Sequence, residues 1–357
     1  MTYKKTDFVP FSADAQRSIA NLEAAYGQLV DIERELEAMP SSMFWQNKNG
    51  RDYLAVKKST ADSGTTRGLR SPETERQLAD YLVERERLQA RRESLSGLVQ
   101  DRVKLCRALR LPQMAEQQGR LLRELDLQGL LGYDLLVVGT NAFAAYEMVC
   151  GARFPVGNEA TEDFDLAWCR GTKVSLAAIA PLPPPAPHQA AGSRASLMSV
   201  LKRIDSSYAI NKRKPYQAVN DAGYEVELLA APSTHPLPSN EPFEPMATLD
   251  EQEWLLRGRP VQCVVTTNKP GTCPLYAPDP RWMAVHKLWL SLKPERKPSK
   301  KGKDARQGKV LLDATRYFLR DSYPMDLGFV LELPPELRDL FTAWAEQSGF
   351  DPTNPSA

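Results

Sequence analysis

Between Ala13 and Met39 apolar residues recur at three- and four-residue steps: Ile19, Leu22, Tyr26, Leu29, Ile32 and Leu36. Charged residues fill the gaps, so the spacing predicts an amphipathic helix, closed by Pro40. Met43 to Ser59 changes period. Strand-like runs flank Asn49-Gly50, the pattern of a β-hairpin with its turn at that pair. A polar linker is expected from Thr60 to Arg70. Ser71-Pro72-Glu73 then opens a second helix: serine caps free N–H groups, proline suits the first helical position, and the acid favours the dipole. This helix is expected to reach about Leu109, with Leu78, Leu82, Leu88, Leu95 and Val99 inward. The arm's basic residues (Arg67, Arg70, Arg85, Arg87, Arg91, Arg92) read first as solvated faces laced with Glu–Arg pairs. Contact with nucleic acid is the alternative.

Pro112 marks a boundary. Gln113 to Leu131 reads as a helix with Leu121, Leu122, Leu125 and Leu130 inward. The apolar run Leu135–Val138 reads as a strand, Gly139-Thr140-Asn141 as a turn, and Ala142 to about Cys150 as a helix. Free backbone N–H groups at such a turn attract anions, and a small residue lets a phosphate approach closely. Neither a G-x-G-x-x-G fingerprint nor a Walker A loop occurs in the chain. Thr161 to Trp168 alternates polar and apolar, so Asp163 and Asp165 share one strand face while Phe164 and Leu166 take the other. Two adjacent carboxylates repel; a divalent cation removes the penalty, and oxygen ligands suit magnesium or manganese. Residues 216–221 and 224–229 read as a hairpin about Asp221-Ala222-Gly223, with Glu225 and Glu227 on one face. Glu227, nearer the apolar end, is the better third acid, with Glu225 as alternative. Three acids on adjacent strands would make a two-metal phosphoryl-transfer site.

Residues 181–190 are proline-rich and read as an extended loop, with His188 exposed. Arg194 to Asp205 reads as a short helix, and Lys212 to Lys214 as a basic patch. Pro260 to Thr267 reads as a strand, and Asp279-Pro280 starts a helix carrying Met283, Val285, Leu288, Trp289 and Leu292. His286, within it, is expected to be a buried, hydrogen-bonded histidine. Lys287 is more informative, because lysine is rarely buried without a partner. Residues 293–309 hold eight basic and two acidic side chains. They are expected to form a loop and then, from Lys303-Asp304, a helix to about Arg320. The segment is either solvated or an electrostatic guide for a triphosphate or polynucleotide. Pro334 to Gln347 reads as one more helix.

Composition changes this picture little. Lys+Arg (46) and Asp+Glu (45) balance to +1, so any basic surface is local. The five cysteines show no C-x-x-C spacing, which disfavours a zinc site or a disulfide framework. No signal-peptide pattern opens the sequence, and no apolar run approaches the roughly 20 residues of a membrane span. A cytoplasmic protein with no membrane association is expected.

Gly139-Thr140, then Asp163-x-Asp165, then a later acid resemble the polymerase-β-like nucleotidyltransferase superfamily. More narrowly, GTNAFAAYE, ATEDFDLAW, YEVELLAAP and RWMAVHKLWLS are similar to a minimal bacterial nucleotidyltransferase branch. GRDYLAVKKS…SPETERQLADY resembles that branch's N-terminal arm, so the likeness runs from about residue 45 to about 320. It implies an α+β fold: a helical arm with a hairpin (1–111), a nucleotidyltransferase core of mixed sheet and helices (112–278), and a C-terminal helical domain (279–357). It implies transfer of a nucleoside monophosphate from an NTP to an acceptor hydroxyl, with Mg2+ or Mn2+ on Asp163, Asp165 and Glu227. Gly139, Thr140 and Asn141 would hold phosphates, and Lys287 and Lys303 would neutralise charge, with Asp304 in a subordinate role. The acceptor is expected to be nucleic acid, tRNA included, as for tRNA-modifying toxins of the superfamily, which would need an inhibitory partner protein. The chain departs from most of the superfamily in the long gap between Gly139 and Asp163 and in Glu at 227 where Asp is usual. The alternative is a non-catalytic nucleotide- or nucleic-acid-binding module on the same fold.

Overall fold

Two-residue strand β1 (Val9–Pro10) precedes the long helix α1 (Ala13–Ala38), whose apolar stripe buries Leu22, Tyr26, Leu29 and Ile32. The structure is a computed structural model and describes residues 2–59, 62–132, 134–155, 173–178, 196–234, 242 and 250–355. It divides into two compact units, Ala20–Leu105 and the remainder, Met1–Ile19 with Cys106–Ala357.

In the smaller unit β2 (Ser42–Lys48) and β3 (Arg51–Lys57) pair antiparallel in the expected hairpin. Asn49 (φ 52) and Gly50 (φ 77) both take the left-handed conformation that a two-residue hairpin turn requires. The expected linker after it is partly a third strand. β4 (Thr65–Leu69) pairs antiparallel with β3, with a register shift between Leu54 and Ala55. Four of its five residues are exposed and only Leu69 is a large apolar residue, so no apolar alternation announced it. Helix α2 (Pro72–Ala108) starts where its cap signal lies, the Ser71 hydroxyl accepting the Thr74 N–H at 3.3 Å. It runs antiparallel to α1, joined by Arg92–Glu33 at 3.5 Å. Its inward stripe differs from the expected one. Leu82 is 52% exposed, and Tyr81 is buried instead, donating its hydroxyl proton to the Pro40 carbonyl at 3.0 Å. Tyr81, Leu88 and Leu95 stand at seven-residue steps and Val99 and Val103 continue the row; Leu82 falls about 100° to one side of it.

The larger unit is built on two sheets. Before the first come β5 (Gln113–Met114) and α3 (Glu116–Leu127), so the helix expected from Gln113 starts later and ends earlier. There follow β6 (Leu135–Val138), a tight 3-10 turn over Gly139–Ala142, α4 (Phe143–Cys150), and β7 (Ala152–Arg153), which pairs with β1. Then come β8 (Lys173–Ala178), α5 (Leu197–Ile204), β9 (Ala209–Asn211), β10 (Lys214–Val219) and β11 (Glu225–Ala230). The five-stranded sheet has the order β6-β8-β11-β10-β9. Its β8–β11 pair is parallel and the others are antiparallel. β12 (Val261–Thr267) and β13 (Thr272–Ala277) form a hairpin, and β5 adds to β12 in parallel. α3 packs on β13, and α4 on β12.

Helices α6 (Pro280–Leu292) and α7 (Pro298–Phe318) lie tightly together, and α8 (Leu327–Glu332) and α9 (Pro335–Ser348) complete the unit. α7 begins at Pro298, ahead of the expected Lys303. Proline at the first helical position suits a start, and the basic run continues as helix. A Cβ on Gly308 would lie 2.7 Å from Leu288 and 2.8 Å from the Ala284 carbonyl, so glycine lets the two helices approach.

Two buried carboxylates anchor this end. Asp279 caps α6, accepting the Arg281 N–H at 2.9 Å, and also binds the Arg281 guanidinium and the Arg259 N–H. Gly258, with φ +75, passes so close that a Cβ there would overlap the Asp279 carboxylate. Asp313 accepts the Tyr3 N–H at 2.8 Å and the Trp344 indole N–H at 3.1 Å. Burial pushes its carboxyl up to about 6. No described helix is long and apolar enough to cross a membrane.

Candidate active site

The five-stranded sheet has one apolar face and one on which Leu136, Val138 and Ala177 stand beside polar residues. Cross-strand partners share a face, and neighbours along a strand alternate. Val137, Leu176 and Leu228 occupy one register row, Val226 and Ala218 another, and all are buried on one apolar face. Glu225, Glu227 and Gln217 lie on the other.

On that second face one row crosses the sheet. Val138 stands opposite position 175 of β8, position 175 opposite Glu227, and Glu227 opposite Gln217. The residue after Val138 is Gly139. The turn and Glu227 are thus at one level of the sheet, two strands and about 10 Å apart. Gly139 has φ +73, and a Cβ there would meet no described atom within 4 Å. Among the described residues none fills the space beside its backbone, as close approach of a phosphate demands. Thr140 is half-buried, and Asn141 is buried. The turn leads into α4, a helix fixed on all sides: the Tyr146 hydroxyl donates to the Pro278 carbonyl at 3.0 Å, and Glu147 accepts the Phe154 N–H at 2.8 Å.

Glu227 is 9% exposed, and Gln217 is 1% exposed. The Gln217 amide donates to Glu225 at 2.7 Å and reaches Glu227 at 3.5 Å. Asn211 in turn donates to the Gln217 carbonyl oxygen at 2.8 Å. This amide chain turns two like-charged groups toward one place. Such a pair of carboxylates fits a hard divalent cation, which takes oxygen ligands. Among the described residues no group of three or more His, Cys, Asp or Glu is arranged to hold a metal. Asp163 and Asp165 lie outside the described residues, as do His188 and the proline-rich segment around it.

A second charged group sits between α6 and α7. Lys287, 4% exposed, donates to Asp304 at 2.8 Å, and Asp304 also binds Arg296 at 2.6 and 2.7 Å. Burial lowers the Lys287 pKa, and Asp304 opposes that shift. Two cations on one carboxylate leave the group net positive. Lys303, one residue before Asp304, is exposed. His286 is buried against Trp254, edge-on at 6.2 Å, and Trp289, stacked at 5.9 Å. Burial pushes its pKa down to about 3, so the ring is neutral. The hydrogen bond expected of it is not found: neither ring nitrogen has a partner among the described residues. α4, which follows the Gly139 turn, also packs against α7.

The structure therefore brings Gly139, Thr140, Asn141 and Glu227 to one sheet, and Lys287 and Lys303 to the helix pair. Two contributors were missed in the sequence. Gln217 stands between two apolar-flanked strand positions, where an amide facing inward is the only signal. Arg296 was one of many cations in a basic run, and its partner Asp304 is eight residues away across a turn.

No curated protein and no solved structure matches the chain. A family model described as nucleotidyltransferase matches residues 116–324, which spans α3, the five-stranded sheet, the β12–β13 hairpin, the Gly139 turn, Glu227 and the α6–α7 pair. That match covers more than half of the chain, and its helices and mixed sheets agree with it: the chain belongs to the nucleotidyltransferase family.

Proposed function

We propose that the chain moves a nucleoside monophosphate from an NTP to a hydroxyl of an RNA acceptor, with tRNA as the first candidate. The observation that carries the reading is the register row joining the Gly139 turn to Glu227. It sets an open, anion-attracting turn opposite a buried carboxylate on one polar face. Gly139, Thr140 and Asn141 would cradle the β- and γ-phosphates through backbone N–H groups. Asp163, Asp165 and Glu227 would hold Mg2+ or Mn2+, with Glu225 as the alternative third carboxylate. When bound, the ions would neutralise charge on the phosphates and the attacking oxygen. The acceptor oxygen would bond to the α-phosphorus, the α–β bridging bond would break, and pyrophosphate would leave. Glu227 would take the hydroxyl proton. Gln217, bridging to both glutamates, would fix their orientation.

Lys287 has a different role from the one its type suggests. Its ammonium is bound to Asp304, so it would contribute through the net positive charge it shares with Arg296. Lys303, exposed beside them, would add its own positive charge for a triphosphate to meet. An activity that modifies tRNA would also call for an inhibitory partner protein in its host.

The competing reading is a nucleotide-binding module without turnover, favoured by the engagement of Lys287 with Asp304. Incubation with labelled NTPs, magnesium and total RNA separates the two. Label on RNA that vanishes in Asp163→Ala and Asp165→Ala is expected. Retained transfer in either variant, with an unchanged melting temperature, would refute the metal assignment. Nucleotide binding with no labelled acceptor would favour the module.

A further inference from the structure

The three-stranded sheet of the arm has a face with no counterpart in the nucleotidyltransferase core. Pairing assigns it without ambiguity. Phe44, Ala55 and Thr66 form one row, Gln46, Tyr53 and Leu69 the next, and Lys48 with Arg51 the last; Lys57 stands at the other end. The opposite face carries Leu54 and Val56, both buried, together with Trp45 and Asp52. Asp52 is paired with Arg70 at 3.6 Å. The strand positions of the outer face thus hold three cations and two aromatic rings; one carboxylate, Asp62 in the loop after β3, interacts with Lys57 at the edge.

The side chains on that face are arranged across it. Lys57 lies with its ammonium 5.7 Å from the centre of the Phe44 ring. Lys48 stretches to the Thr66 hydroxyl on the far strand at 3.3 Å. Phe44 is 36% exposed and Leu69 47%, and Tyr53 is half-buried. Phe44 and Tyr53 are diagonal neighbours, about 7–8 Å apart. Exposed aromatic rings offer flat platforms to other flat groups.

We infer that this face binds a single-stranded stretch of RNA, with bases stacked on Phe44 and Tyr53 and phosphates drawn by Lys48, Arg51 and Lys57. Charge complementarity selects the partner. Cations that outnumber the one nearby carboxylate attract a polyanion, and every base has a π-face that an aromatic ring can stack on. A protein partner would find an apolar strip of Phe44, Tyr53 and Leu69 set among cations. A lipid bilayer would call for rings that stand proud of the surface. As a docking place for the acceptor, the face rests on the RNA reading above; as an RNA-binding surface, it does not need turnover.

The test uses the full-length chain, a short unstructured RNA labelled with a fluorophore, and no NTP or metal. Lys48→Glu with Arg51→Glu is expected to weaken binding about tenfold or more at low salt and to flatten the salt dependence of log Kd. Phe44→Ala with Tyr53→Leu is expected to weaken it at least about fivefold with little change in that slope. Arg87→Glu, on α2, serves as a charge control, and circular dichroism confirms that each variant is folded. Unchanged affinity in both double variants would overturn the inference. So would equal binding of a duplex, or binding of anionic phosphatidylserine vesicles in preference to RNA. If RNA binds and the variants lose it while no RNA is ever labelled, the surface stands and the acceptor assignment falls. If transfer to RNA proceeds in the variants with an unaltered KM, RNA docks elsewhere and the inference falls, while the proposed reaction stands.

Discussion

The central sheet and the arm's sheet share a plan and differ in what they show. Each has one apolar face and one that mixes apolar residues with a group of polar or charged side chains. The central sheet's polar face gathers carboxylates: Glu225 and Glu227 meet at one amide, with Glu227 buried. The arm's polar face gathers Lys48, Arg51 and Lys57 beside half-exposed rings. Buried anions create a demand for a cation, because their charge is poorly solvated. Exposed cations are solvated already, and their effect is to raise the local concentration of a polyanion. In the readings proposed above, the same kind of sheet would serve an ion in one unit and a long substrate in the other. The units also treat their ion pairs differently. Lys287–Asp304 is sealed between helices, whereas Arg87–Glu84 and Lys104–Asp101 lie open on α2.

That difference can be broken experimentally. The largest effect is expected at Asp304. Alanine there leaves Lys287 buried without its carboxylate and is expected to cost about 3–5 kcal/mol of stability, read by denaturant unfolding. A loss too small to measure would show that solvent reaches the pair. Next comes Glu227→Gln, which keeps the shape and removes the charge. It is expected to lower kcat about 10²–10³-fold while leaving RNA affinity as it was, and full activity would move the third carboxylate to Glu225. Asp313 gives a pH-dependent effect. Its folded pKa, about 6, lies above the ordinary 3.8, so the native state holds the proton more tightly. The associated stability is present below about pH 4 and is lost as pH rises through 6, by roughly 3 kcal/mol. Asp313→Asn is therefore expected to gain on the parent between pH 4 and 7.5 in paired melting curves; parallel curves would show that the carboxyl titrates normally. Smallest is Arg87→Ala on the exposed helix face, where no shift in melting temperature is expected.

How much of this was legible depended on whether the deciding interaction is local. Asn49-Gly50 specifies its turn from two adjacent residues, and Ser71-Pro72 specifies the start of α2 in the same way. The Leu135–Val138 strand and the turn after it were legible because an apolar run ends in glycine. β4 was not, because an edge strand that faces water shows no apolar alternation. The stripe on α2 was misjudged by one residue, since tyrosine reaches Pro40 and leucine does not. The pairing of Lys287 with Asp304 joins two helices across seventeen positions and leaves no periodic trace. Neither does the amide link from Asn211 through Gln217 to the glutamates. The belonging to the nucleotidyltransferase family was legible through motifs that are weak singly and specific together.

Gly258 and Asp279 carry a consequence for how this chain can vary. Any side chain at 258 collides with the Asp279 carboxylate and must also adopt φ +75. Replacing Asp279 first removes the cap of α6 and leaves the Arg281 guanidinium and the Arg259 N–H without their acceptor. Each position closes the route through the other, so neither can drift alone. In a library randomised at single sites, both should return almost only the parental residue. Randomised as a pair, they are the place where a different solution, a smaller cap beside a larger neighbour, can first be reached.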